Sequence, residues 1–90
     1  MPVIQIPSML RSYVNGQAEI MVEGETVGSA MQDLVTKFPI FKQHLYKSDG
    51  SLREFVNLFI GNQNIKTLRG IDTSVESGDT IKLIPSIAGG

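Results

Sequence analysis

The chain has no cysteine and no tryptophan, a single histidine and almost no net charge. Each shortage removes a class of function. Without cysteine there is no disulfide, no thiolate nucleophile and no zinc–thiolate site. A formal charge of −1 gives no electrostatic case for nucleic acid or for an anionic membrane. No apolar run approaches the ~20 residues that a membrane span needs. The N-terminus has no basic stretch followed by an apolar one, so no signal peptide is expected and a cytoplasmic location is the default. One histidine, His44, with no cysteine beside it, argues against a metal site and for an exposed or capping side chain. The carboxylates Glu19, Glu23 and Glu25 lack the spacing of a calcium loop and read as a solvated face. Gly61 and Gly70 are too isolated to cradle a phosphate. Met9, Met21 and Met31 read as core filler.

What remains is an ordinary small domain with a distinctive end. Ninety residues, 41% hydrophobic and 19% charged, suffice for one core. The chain closes on Pro85-Ser86-Ile87-Ala88-Gly89-Gly90, directly after a strand-like Thr80-Ile81-Lys82-Leu83-Ile84. The strand is expected to leave the sheet at Pro85 and to place a free carboxylate on a thin stalk. Glycine has no Cβ, so Gly89 and Gly90 can pass through a channel too narrow for other residues. Two final glycines arise by chance in roughly one chain in two hundred, from a glycine abundance near 7%. The division expected is a domain over residues 1–85 and a flexible tail over 86–90.

The remaining pattern alternates β and α signals. Pro2 to Ile6 favours strand, and Pro7 stops it. Ser8 to Gly16 reads as a connection whose Met9, Leu10 and Tyr13 fold back onto the core, and Gln17 to Val22 as a second strand. Thr26 is a helix N-cap candidate. Val27, Ala30, Met31, Leu34, Val35 and Phe38 then form one helical stripe, ended by Pro39. Ile40 to Tyr46 suggests a short second helix with Phe41 and Leu45 four apart, and 47–52 a polar loop. Phe55 to Ile60 is a strong strand signal, followed by a turn and a short partner near Asn64 to Lys66. Glu76-Ser77-Gly78-Asp79 is the turn before the last strand. Alternation directs Val56, Leu58 and Ile60 inward and Phe55, Asn57 and Phe59 outward. In the last strand Ile81 and Leu83 point in, Lys82 and Ile84 out. Propensity alone supports an α+β domain, one main helix on a mixed sheet of four or five strands.

Three stretches carry a resemblance. They are Val56-Asn57-Leu58-Phe59-Ile60-Gly61-Asn62, Ser77-Gly78-Asp79-Thr80-Ile81, and Leu83-Ile84-Pro85-Ser86-Ile87-Ala88-Gly89-Gly90. With the helix start at Thr26-Val27, they resemble the MoaD/ThiS family of ubiquitin-like sulfur-carrier proteins over nearly the whole length. Phe55-Val56-Asn57, the ending from Ile84 and the early Ile6-Pro7-Ser8-Met9-Leu10-Arg11 are most similar to its CysO-type branch, carriers of a cysteine-biosynthesis route. The resemblance implies a β-grasp fold with the first and last strands parallel at the sheet centre. It also implies a carrier rather than an enzyme, with no bound cofactor and the sulfur held covalently. An E1-like adenylating enzyme of MoeB/ThiF type would use ATP to activate the carboxylate of Gly90, and Gly89 would lead it into the active site. A PLP-dependent cysteine synthase would take the sulfur, and a JAMM-type metalloprotease would release cysteine. Partner contact is expected at Phe59, Ile84, Pro85, Ile87 and Ala88, unless Phe41, Tyr46 or the 67–75 loop covers that patch. Three alternatives share the fold: the small subunit of molybdopterin synthase, a ubiquitin-like modifier joined to lysines, and an adaptor with an inert tail.

Overall fold

The fold is a computed structural model that describes residues 1–85. Five strands form one mixed sheet: β1 (Val3–Gln5), β2 (Glu19–Met21), β3 (Val56–Ile60), β4 (Gln63–Asn64) and β5 (Thr80–Pro85), in the order β2-β1-β5-β3-β4. β1 pairs antiparallel with β2 and parallel with β5. β3 pairs antiparallel with β5 and with β4. The first and last strands are thus neighbours at the sheet centre, the β-grasp arrangement expected from the resemblance.

One face of this sheet is covered by α1 (Val27–Lys37) and α2 (Ile40–Leu45). The reason α1 forms here is local. The Thr26 hydroxyl accepts from the Ser29 N–H, and Ser29 Oγ accepts in return from the Thr26 N–H, both at 3.1 Å. This reciprocal cap satisfies donors that the first turn leaves unpaired. Val27, Ala30, Met31 and Leu34 are buried, and Val35 and Phe38 pack half-buried beside them. Opposite lie Ile4, Ile20, Val56, Leu58, Ile81 and Leu83, the inward residues of four strands. Phe41 and Leu45 of α2 close the core.

Several expectations change in detail. The 8–16 connection is a 3-10 helix over Ser8–Val14. Side chains three apart share a face in such a helix, so Leu10 and Tyr13 pack together on the core while Met9 is turned out and exposed. Met21 is exposed as well, because it alternates with the buried Ile20 on β2; of the three methionines only Met31 fills the core. The last strand runs through Pro85 rather than ending before it, with Pro85 opposite Val56. β1 accompanies β5 only as far as Lys82. Beyond that point β5 has a single neighbour, and proline is tolerated on such an edge. β3 begins at Val56, since a turn in which the Val56 N–H bonds Arg53 O at 3.0 Å excludes Phe55. Around Asn64 the short partner strand ends at once in a 3-10 turn, Ile65–Thr67.

Candidate functional site

The sheet face turned away from the helices carries the candidate residues. Alternation along β3 buries Val56 and Leu58 and leaves Asn57 and Phe59 half-exposed on the other side. Along β5 it buries Ile81 and Leu83 and turns out Lys82 and Ile84. The β3–β5 register sets Phe59 opposite Lys82 and Asn57 opposite Ile84. Phe59 and Ile84 are therefore diagonal neighbours on adjacent strands, close enough for large side chains to meet. Ile84 is 45% exposed. The segments considered as covers lie elsewhere. Phe41 is wholly buried in the core, Tyr46 packs half-buried against it, and the 67–75 segment joins α1 through the Val27 N–H to Thr73 O bond of 2.9 Å.

Polar side chains complete this face. Asn64 Nδ2 donates to Asn57 Oδ1 at 3.3 Å, across the hairpin that β3 makes with β4. Asn64 was not legible as a member of the face, because a two-residue strand gives no alternation to read. Lys82 lies between Phe59 and Gln5, in a row that crosses β3, β5 and β1. Pro85 is half-buried at the end of the described chain. The expectations for Ile87, Ala88, Gly89 and Gly90 fall outside the described residues.

The titratable groups that the fold shifts are remote from this face. Asp33 on α1 is held below the usual carboxylate range, first by the Glu23 N–H at 2.9 Å and then by Lys37. Asp49 is lowered by the Ser51 hydroxyl and N–H. Burial pushes the Tyr46 hydroxyl up, partly offset by its bond to Gln32. His44 is neither exposed nor a cap: it is half-buried, its ring stacked on Tyr13 at 4.8 Å between centroids. Glu19, Glu23 and Glu25 are exposed, as a solvated face requires. Among the described residues the arrangement is a partly apolar sheet face beside the terminal strand, with no acid–base pair brought together on it.

The comparisons agree with this geometry. A model of the ThiS family matches residues 4–90. The sulfur carrier protein CysO of Mycobacterium tuberculosis is 29% identical over 89 residues, covering 97% of this chain and 96% of its own. A chain in the crystal structure of the Amycolatopsis orientalis BexX/CysO complex superposes with a TM-score of 0.88 at 27% identity, with both chains wholly covered. The solution structure of small archaeal modifier protein 1 from Methanosarcina acetivorans gives 0.88 at 25% identity, over 99% of this chain and 95% of that one. From its first strand to its last residue the chain belongs to the ThiS family, on a ubiquitin-like β-grasp fold.

Proposed function

We propose that this protein carries sulfur at the carboxyl carbon of Gly90 and delivers it for cysteine biosynthesis. The observation that supports this most directly is the match to sulfur-carrier relatives over almost the entire chain, with the family match running through Gly90. The chemistry follows from the state of the carboxyl group. An α-carboxylate has a pKa near 3.5, so at neutral pH it is an anion that resists nucleophiles. An E1-like enzyme overcomes this by transferring AMP. A Gly90 carboxylate oxygen attacks the α-phosphorus of ATP, pyrophosphate leaves, and an acyl adenylate forms. Hydrosulfide then attacks the carbonyl carbon and gives up its proton to solvent. AMP leaves with its electron pair, and a thiocarboxylate remains. In this scheme the carrier contributes the tail of Ile87, Ala88, Gly89 and Gly90 and a docking surface made by Phe59 on β3 with Ile84 and Pro85 on β5.

The test is intact mass after incubation with ATP, the adenylating enzyme and a sulfide source, beside a chain lacking Gly90. A gain equal to one oxygen replaced by one sulfur, absent from the truncated chain, is expected. No gain with a demonstrably active enzyme overturns the proposal. A PLP-dependent cysteine synthase charged with an activated serine should then discharge the thiocarboxylate, whereas discharge only by a molybdopterin synthase large subunit would reassign the pathway. The likeness to an archaeal modifier protein favours a second reading, attachment through Gly90 to lysines. It predicts isopeptide-linked adducts in lysate, which a pure carrier does not form.

A further inference from the structure

On the helix side of the molecule, remote from Phe59 and Ile84, a groove of about 740 Å³ runs between α1, α2 and the 47–53 loop. Its charge is out of keeping with the chain. Lys42, Lys47 and Arg53 line it against one carboxylate, Asp49, in a protein whose formal charge is −1. That carboxylate is turned onto its own loop, accepting the Ser51 N–H at 2.9 Å and the Ser51 hydroxyl at 2.6 Å. Lys47 is engaged by the exposed Glu54 at 3.2 Å. Arg53 donates through Nε and Nη2 to Gln43 O at 3.2 and 3.0 Å, which fixes its guanidinium at the groove wall. Lys42, on the exposed side of α2, forms no ion pair among the described residues. Val35, Pro39 and the half-buried ring of Tyr46 add apolar surface between these cations.

We propose that this groove docks an acidic, partly apolar peptide segment of a partner protein. The cationic rim suits carboxylates, and the Val35–Pro39–Tyr46 surface suits aliphatic or aromatic side chains between them. Nucleic acid fits less well. Its affinity comes from releasing many counterions, and three cations offer few phosphate contacts. The inference is independent of the tail chemistry, because the groove and the outer sheet face lie on opposite sides of the sheet. A partner held in the groove would leave the outer face open to a second protein.

The test uses the full chain and a fluorescent peptide that alternates glutamate with leucine, followed by anisotropy. Binding is expected at low salt, and it should weaken about tenfold or more near 1 M salt, where the Debye length is only ~3 Å. The same peptide with lysine in place of glutamate should not bind. Lys42→Glu should weaken binding by about tenfold, through like-charge repulsion, and Lys42→Gln by less. Circular dichroism should show both variants folded. Amide shifts on titration should centre on Gln32, Val35, Lys42, Gln43 and Tyr46. Absence of binding, binding indifferent to Lys42→Glu, or shifts centred on Asn57, Phe59 and Ile84 would overturn the proposal. So would binding of a single-stranded oligonucleotide or inorganic phosphate at the groove without binding of the acidic peptide.

Discussion

Gly24 shows how tightly single positions are set. A Cβ there would lie 2.6 Å from the Ala30 backbone nitrogen and 2.6 Å from Ser29 Oγ. Gly24→Ala should therefore lower stability by about 1–3 kcal/mol, the usual cost of forced overpacking, read from a denaturant midpoint. An unchanged midpoint would mean the turn relaxes freely. Asp33 gives a second test. It accepts the Glu23 N–H and pairs with Lys37 at 3.0 Å, and Lys37 in turn donates to Met21 O at 3.0 Å. Its folded pKa lies below the unfolded value of about 3.9. The stabilisation is thus complete above that value and is lost as pH falls through the folded one. Asp33→Asn should reduce stability at neutral pH and match the parent in strong acid; a gap that persists in acid would assign the effect to something other than the charge. On the outer face, Phe59→Asp should leave the fold intact and raise the KM for adenylation. Unchanged adenylation kinetics would remove Phe59 from the docking surface. The in-and-out placement of Phe59, Lys82 and Ile84 was legible because five- and six-residue strands repeat every second residue. The stacking of His44 on Tyr13 was not, since it joins two helical segments that no local period relates.

At the scale of elements, α1 was the most legible piece. Its stripe repeats over three turns, and Thr26 and Pro39 mark its ends. The missing detail was Ser29, which accepts from the N–H groups of both Thr26 and Glu25. Nothing in the sequence separates a third-position serine that caps from one that merely faces water. Thr26→Ala should cost about 1 kcal/mol, the usual value of such a cap. Leu34→Ala should cost about 2–5 kcal/mol, because that side chain is wholly buried. A smaller loss at Leu34 in a urea titration would contradict the packing of α1 on the sheet. The 3-10 segments were the least legible elements. Ile65–Thr67 and Gly70–Asp72 make a single turn each and Ser8–Val14 little more than two, with a three-residue spacing that is neither the α nor the β period, and tertiary contact decides them. That is why Met9 was expected inside and stands outside.

For the whole molecule, the topology separates what holds the fold from what the proposed chemistry needs. β1 joins the sheet centre through pairings with both β2 and β5, and its Ile4 is fully buried. Deleting residues 1–5 should abolish cooperative unfolding. Deleting Gly89 and Gly90 should leave the urea midpoint unchanged while ending sulfur loading. A truncated chain that still loads would refute the carrier proposal; one that loses stability would show the tail to be part of the folded domain. The overall class was legible because strand and helix periods alternate in clear blocks, and the central pairing followed from the resemblance. The central place of β5 also has a mechanical consequence. A partner that pulls on the C-terminus loads the β1 ladder on one side and the β3 ladder on the other. The force runs along those strands, so their hydrogen bonds are sheared together instead of unzipped one by one. Under the proposed function, in which this end enters other proteins' clefts, the same geometry lets the chain be tugged by that end without coming apart.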